Sequence, residues 1–130
     1  MREIKFRAWD REKREMRGEG SFIIYNEPNN GLRSGYTREV IGGWVELVLM
    51  QYTGLKDKNG REIYEVDIVN VKERDSKTYR VGFIKWGESY PEWGIRSYVG
   101  KDYIGIRFPV QEIEVIGNIY ENPELLKGSV

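Results

Sequence analysis

The sequence predicts a small all-β protein. Short apolar runs rich in β-branched and aromatic residues recur about every 8 to 12 residues, turn-forming residues separate them, and little room is left for helix. At 130 residues the chain has the length of one domain. The strand spacing is typical of a small barrel or sandwich. We therefore expect one domain over residues 1–130, with an N-terminal β-segment and variable loops at 1–49, a hairpin and a small barrel or sandwich at 50–126, and a tail at 127–130.

The first strand is predicted at residues 2–9, because apolar and basic side chains alternate there. Lys5, Arg7 and Trp9 would share the solvated face. The charged run at 10–17 is predicted to be a hairpin connection, with a charged helical turn as the alternative. A short strand is predicted at 21–25. Residues 26–43 are rich in glycine and polar residues, so we expect no long element there.

The centre of the chain is predicted to be a β-hairpin. Asn59-Gly60 separates an apolar run at 47–52 from another at 63–71. Asn-Gly is a strong signal for a type I′ turn, in which both central residues have positive φ. Charged neighbours, among them Asp57 and Lys58, predict a solvated tip. We therefore assign Asn59 and Gly60 a structural role.

Later strands complete the predicted sheet structure, and the tail is the best place for a helix. The strands are expected within 67–71, 79–86, 93–99, 104–108 and 111–120. In the tail, Asn122 can cap a helix, Pro123 suits its first position, and Glu124 suits the positive end of its dipole. We expect a single helical turn.

Composition removes several functional classes. The chain has no cysteine and no histidine, which excludes disulfides, Cys/His zinc sites and the commonest general base at neutral pH. Its 21 Lys and Arg residues balance 21 Asp and Glu residues, so net charge predicts no bulk attraction to nucleic acid or membranes. Without a signal-like start or an apolar stretch near the roughly 20 residues that span a bilayer, we expect a cytoplasmic protein with no membrane partner.

Three blocks of the sequence resemble the YopX-like proteins of phages and prophages. They are IKFRAWD at 4–10, MQYTGLKDKNGREIYEVDIV at 50–69 and EVIGNIYENPELL at 114–126, in the order and spacing of that family. The family pattern has Gly where this chain has Val66. Because a β-branched residue resists positive φ, we expect an extended backbone at Val66 or a bend at Glu65. The resemblance implies an SH3-like barrel that works in a bacterial host cytoplasm, with no established activity or cofactor.

An aromatic and basic cluster is the candidate interaction surface. Its members are Trp86, Tyr90, Trp93, Arg96 and Tyr98, and Lys85 is a second cation nearby. Small β-barrels stack single-stranded bases on aromatic rings beside cations, so nucleic acid is one candidate partner. Glu88 and Glu92 in the same stretch would repel phosphate. We therefore rank a phage or host protein ahead of nucleic acid as the partner.

Carboxylates around the central hairpin give a third hypothesis, a metal enzyme acting on phosphate esters. They are Asp57, Glu62, Glu65, Asp67 and Asp75, and carboxylate oxygens are the ligands that Mg²⁺ prefers. Their positions at a turn and a strand start favour structural roles, with Asp67 accepting backbone N–H bonds. We therefore predict no catalytic residues, no metal site, no cofactor and no enzyme activity.

A homo-oligomer is the last expectation from the sequence. In a small barrel about half of the aromatic side chains between residues 79 and 108 should point outward. Exposed Trp and Tyr side chains favour protein contacts, and the edges of short strands offer unpaired backbone groups to a neighbouring chain.

Overall fold

The computed structural model describes residues 3–87, 90–97, 103–106 and 111–127, with Lys127 described by its backbone alone. Within these ranges the protein has eleven strands and one short helix. They are β1 (Phe6–Asp10), β2 (Glu15–Arg17), β3 (Ile23–Glu27), β4 (Gly31–Thr37), β5 (Trp44–Lys56), β6 (Glu62–Tyr64), β7 (Asp67–Glu73), β8 (Tyr79–Trp86), β9 (Trp93–Arg96), β10 (Tyr103–Gly105), β11 (Gln111–Asn118) and α1 (Glu124–Lys127). The all-β prediction is confirmed.

The strands form two antiparallel sheets. Strand pairing within the described residues does not close either sheet into a barrel, so the SH3-like barrel stays a prediction. The four-residue α1 is far too short to cross a bilayer, and the described ranges hold no longer helix that could.

The chain divides into two compact units, Met1–Tyr52 and Thr53–Val130. In the first unit the strand order is β2-β1-β5-β4-β3, and neighbouring strands are antiparallel. Residues 11–14 connect β1 to β2, which confirms a hairpin connection, but it is shorter than the predicted 10–17 because residues 15–17 form β2. The core of this unit contains Ala8, Val45 and Leu47, with Phe22 and Tyr36 packed against them.

Two expectations for the first unit were wrong. Residues 26–43 include the seven-residue strand β4, which pairs with both β3 and β5. Its glycine content has a packing reason: the Trp44 ring lies so close to Gly35 that a Cβ there would approach the ring to 2.4 Å. The Trp9 side chain, expected on a solvated face, is buried.

The second unit contains a five-stranded sheet in the order β10-β9-β8-β7-β11, and β6 pairs with β5. Its core residues are mostly β-branched, as strand propensity favours: Ile63, Val69, Val71, Ile84, Trp93, Ile95, Ile113 and Val115. The predicted helical turn is confirmed as α1. The Asn122 side chain does not cap it, however, because its Oδ1 accepts a hydrogen bond from the Asn118 backbone N–H at 3.2 Å.

The central hairpin is confirmed, but its turn is not of type I′. Of the two central residues only Gly60 has a positive φ, of 83°. Gly60 N–H donates to the Asp57 carbonyl at 3.0 Å, and Asp57 N–H donates to the Arg61 carbonyl at 2.8 Å. These bonds close a three-residue loop, Lys58, Asn59 and Gly60, of the kind that places glycine at the left-handed third position.

Asp57 is buried, which corrects its assignment to a solvated tip. Its Oδ1 accepts backbone N–H bonds from Asn59 and Arg61, both at 2.9 Å. Its Oδ2 accepts the Val115 N–H at 2.9 Å, and Lys58 N–H donates to the Ile113 carbonyl at 2.9 Å. Burial alone would raise the pKa of Asp57, but the N–H donors of Val115, Arg61 and Asn59 together hold that pKa below its ordinary value. The turn therefore docks against β11 through this carboxylate.

Val66, between β6 and β7, has a φ of 64°, so the expectation of an extended backbone there was wrong. Its N–H donates to the Ile84 carbonyl at 2.9 Å, and its carbonyl accepts the Ile119 N–H at 3.1 Å. Bonds to two distant segments therefore hold the valine in a conformation that it disfavours. Asp67 Oδ2 accepts the Tyr64 N–H at 2.8 Å, as predicted for this carboxylate.

Candidate interaction surface

The β8–β9 hairpin brings Trp86 and Trp93 together as cross-strand partners. Their rings meet edge to face, with centroids 5.1 Å apart and planes at 79°. Trp93 is only 9% exposed and belongs to the core, whereas Trp86 is 44% exposed. Tyr90, in the connecting loop, is 66% exposed. We call Trp86 and Tyr90 the aromatic patch, because both are exposed and lie four residues apart at this end of the hairpin. The Trp93 ring packs against the Trp86 ring on the same face of the sheet.

Strand alternation separates the predicted cations from these tryptophans. Trp86 and Trp93 share one face of the sheet, so Lys85 and Arg96, each an odd number of residues away, lie on the opposite face. Tyr98, the fifth member of the predicted cluster, lies outside the described residues. The structure thus brings together two tryptophans and the Tyr90 loop, but not Arg96.

The β8–β9 loop is held by close backbone packing. Gly87 N–H donates to the Glu92 carbonyl at 2.8 Å. The Tyr103 hydroxyl donates to the same carbonyl at 3.3 Å, and its ring lies so near Gly94 that a Cβ there would approach it to 2.2 Å. A cleft of 350 Å³ beside Tyr90 is lined in part by Glu92. Glu92 is one residue from Trp93, so its carboxylate lies on the face that carries Tyr103 and Arg96, and it disfavours a phosphate there.

A second cleft, in the first unit, was missed by sequence reasoning. It has a volume of 720 Å³ and is lined by Lys13, Arg17, Gly20, Ser21, Tyr36, Thr37, Arg38, Glu39, Val40 and Ile41. The Arg17 guanidinium stacks on the Tyr36 ring, 3.8 Å from its centroid. Arg38 pairs with Glu12, and Arg17 pairs with Glu15 at 3.2 Å. Two of the three cations that line the cleft are thus paired with carboxylates, which weakens its attraction for anions; the third, Lys13, lies over the Tyr36 ring, 5.8 Å from its centroid.

Asp10 organises the wall of that cleft. It is fully buried, accepts the Tyr36 hydroxyl at 2.6 Å and accepts the backbone N–H groups of Glu12 and Lys13. Burial would raise the pKa of Asp10, but the Tyr36 hydroxyl and the two N–H groups lower it below the ordinary value. The same contact with Asp10 raises the pKa of Tyr36. An aspartate at a strand end, followed by polar residues, was the one sequence signal for this arrangement.

Comparison with known proteins gives a family. The family model described as YopX protein matches residues 5–127. This chain belongs to the YopX family. Among solved structures it is similar to protein yopX from Bacillus subtilis, with 23% identity and a TM-score of 0.66 over 97% of this chain and 98% of that one. It is also similar to protein EF1440 from Enterococcus faecalis, with 26% identity and a TM-score of 0.60 over 97% and 99% of the two chains. The comparison with curated proteins gives no match.

The three blocks that carry the YopX resemblance coincide with strands and the helix of this chain. The first contains all of β1, the second runs from β5 into β7, and the third covers part of β11 and part of α1. Asp10, Asp57 and Asp67, which belong to the first two blocks, are buried and accept backbone N–H bonds. No three carboxylates in the described ranges are grouped to hold a metal ion.

Proposed function

We propose that this YopX-family protein is a non-enzymatic phage or prophage accessory protein that binds another protein in the bacterial cytoplasm. One observation carries the proposal: Trp86 and Tyr90 are exposed, while the cations expected beside them lie on the opposite face of the sheet. Trp and Tyr bury large areas with few rotatable bonds, which makes them the residues that most often anchor protein partners.

The carboxylates support the same interpretation. Asp57 and Asp67, two of the five acids in the metal hypothesis, are buried and bonded to backbone N–H groups. A carboxylate with its oxygens taken by the backbone is a poor ligand and a poor general base. Structural roles explain both residues, and the proposed protein needs no activity from them.

Nucleic acid is the second candidate, at a different place. On the face opposite the aromatic patch, Arg96 is the cross-strand partner of both Phe83 and Tyr103, and Lys85 lies on the same face. This row has the alternation of rings and cations that stacks single-stranded bases, and the Glu92 carboxylate beside Tyr103 would weaken its attraction for phosphate. If it binds nucleic acid, affinity falls steeply between low and physiological salt, because neutralised phosphates release counterions.

Capture from phage-infected bacteria tests the first proposal. Immobilised wild-type protein is compared with Trp86→Ala and with Tyr79→Ala, a control that removes an exposed aromatic from the other end of β8. We expect a protein captured by the wild type and the control to bind Trp86→Ala about tenfold more weakly or worse when both are purified. Equal affinity for all three variants would exclude the aromatic patch.

Fluorescence titration with single-stranded and duplex probes separates the second candidate from the first. Salt-sensitive binding that Arg96→Ala abolishes, while Trp86→Ala leaves it intact, would favour nucleic acid over protein. Absence of binding at low salt would remove nucleic acid from consideration.

A further inference from the structure

The strand β3 ends the first-unit sheet, and its outer edge has no strand beside it in the part of the chain that is described. Its sequence, IIYNE, contains no Lys, no Pro and no bulge, which are the devices that natural edge strands use against pairing with other chains. Ile23 is 58% exposed and Ile24 is 38% exposed, on opposite faces of the strand. The start of this edge is therefore open and apolar, and its one charged residue, Glu27, lies at the end next to the turn.

The other sheet edges are protected in the usual ways. β2 has three residues, of which Glu15 and Arg17 are charged and bonded to each other. β10 is equally short. β11 is covered along its outer side by the hairpin turn, through Asp57 and the backbone N–H of Lys58. β6, which pairs with β5, also has three residues. Among the described strands at the sheet edges, β3 is therefore the longest one without such protection.

We propose that β3 pairs antiparallel with β3 of a second copy of this chain, about a two-fold axis at Ile24. In that register Ile24 lies opposite Ile24 of the partner subunit, and Ile23 lies opposite Tyr25 of the partner subunit. A β-branched residue facing an aromatic one is a favourable cross-strand pair, and the symmetry makes this pair twice. A two-residue extension at the start of the strand would place Glu27 opposite Ser21 of the partner subunit, which keeps the two Glu27 carboxylates apart.

Neighbouring side chains hold Tyr25 ready for this contact. The Tyr25 ring meets the Trp44 ring edge to face, with centroids 5.6 Å apart and planes at 73°. Its hydroxyl donates to the Glu46 carboxylate at 2.7 Å. Ile23 lies on the same face of β3 as Tyr25, because the two are two residues apart. The partner's Ile23 would therefore extend an apolar cluster that already exists.

A competing register with its axis at Tyr25 is less favourable. It would place Ile23 opposite Glu27 of the partner subunit, so that a charged group faces an apolar one on both sides of the axis. The proposal uses a different strand and a different partner from the aromatic patch. Either one can therefore fail while the other holds.

Cysteine cross-linking tests both the edge and the register, because the chain has no cysteine of its own. Directly opposed strand residues have Cα atoms about 4.5–5.5 Å apart, within disulfide range. We expect Ile24→Cys to form a covalent dimer under mild oxidation at low micromolar concentration. Val40→Cys, at an almost fully exposed loop position, measures random collision. Cross-linking of Ile24→Cys no faster than Val40→Cys would overturn the proposal.

Light scattering over a dilution series provides the second measurement. The wild type should have twice the monomer mass of 15.3 kDa at high concentration, and Ile23→Lys should raise the dimer dissociation constant at least about tenfold. Val40→Lys makes a similar change away from the edge and should leave the constant unchanged. An unchanged circular dichroism spectrum shows that each variant is folded. A constant mass of 15.3 kDa for the wild type, or a dimer insensitive to Ile23→Lys, contradicts the proposal.

Discussion

Two left-handed backbone positions flank the short strand β6, and they are built by different means. Gly60, with φ of 83°, precedes β6, and Val66, with φ of 64°, follows it. The first is a local choice, since glycine adopts positive φ without steric cost. The second opposes local preference, and hydrogen bonds to Ile84 and Ile119 maintain it. The sequence predicts the bend at Gly60 because glycine is a turn residue, but it does not predict the bend at Val66 because valine favours an extended backbone.

Removing the carboxylate that docks the first bend should have the largest effect. Asp57→Ala leaves the N–H groups of Asn59, Arg61 and Val115 without their acceptor. The Val115 N–H is buried, so the loss of its acceptor costs about 1–3 kcal/mol, whereas Asn59 and Arg61 are exposed and lose only about 0.5–1.5 kcal/mol each because water replaces the carboxylate. We therefore expect a loss of about 3 kcal/mol in the free energy of unfolding, measured in urea. Asp75→Ala, at an exposed loop carboxylate, should change it by less than about 0.5 kcal/mol. Equal losses would mean that Asp57 does not anchor the turn.

The substitution Gly60→Val should cause the next largest loss in the free energy of unfolding. A Cβ at Gly60 would meet no atom within 4 Å, so Gly60→Val tests backbone strain alone. A β-branched residue at positive φ should cost about 2–3 kcal/mol. Gly18→Val makes the same change at a glycine that also has open space but no positive φ, and it should be nearly neutral. Similar melting temperatures for the two variants would contradict a conformational cost at Gly60.

The strands were predictable where period and turn chemistry agree. β8 and β11 follow apolar patterns between turn residues, and the Asn59-Gly60 hairpin follows from its glycine. β4 could not be found in this way. Its sequence, GLRSGYT, carries little strand signal, and its pairing with β3 and β5 together with the Trp44 ring over Gly35 supplies the stabilisation.

The candidate site was predictable only in part. The tryptophans at 86 and 93 were found, and their pairing follows from a hairpin that turns between them. The position of Arg96 on the opposite face could not be predicted, because it depends on the exact bounds and register of β8 and β9. The edge at β3 depends on the order of strands in the sheet, which no local pattern contains.

The first bend should also make the stability of the protein depend on pH, because a carboxylate holds it. The folded-state pKa of Asp57 lies below its ordinary value of 3.8, so its contribution is present above the unfolded-state pKa and is lost as pH falls through the folded-state pKa. Stability should therefore decline from about pH 5 downward. We compare the free energy of unfolding in urea at pH 7 and at pH 3.5. The difference between the two should be smaller in Asp57→Asn than in the wild type, and it should not vanish, because the pKa of Asp10 is also lowered in the folded protein. An unchanged pH dependence in Asp57→Asn would contradict the role of Asp57.

The second bend should respond with the opposite sign. Val66→Gly removes strain of about 1–3 kcal/mol, against a glycine entropy cost of about 0.5–1 kcal/mol and some lost packing. We expect a net gain of about 0.5 kcal/mol in the free energy of unfolding. Val81→Gly, at another half-buried valine without positive φ, should instead lose about 1 kcal/mol or more. A loss at both positions would show that the Val66 side chain stabilises the protein more than its backbone strains it.

Lys58→Ala should have the smallest effect, although Lys58 lies in the same loop as Gly60. Its ammonium donates to Glu112 at 3.2 Å, and this contact raises the pKa of Lys58, but both side chains are substantially exposed. A raised pKa means that any contribution is complete below the unfolded-state pKa near 10.5 and is lost as pH rises through the folded-state value, so pH 7 shows it in full.

Surface ion pairs of this kind contribute little, because water and salt screen them. The Lys58 backbone N–H, which donates to the Ile113 carbonyl at 2.9 Å, is kept by alanine. We therefore expect the melting temperature of Lys58→Ala to match the wild type within error, in low salt and in 1 M salt alike. A fall in melting temperature as large as that of Gly60→Val would mean that the Lys58 side chain, and not Asp57 and the backbone, holds the first bend against β11. The first bend would then differ from the bend at Val66 by a surface ion pair and not by its glycine.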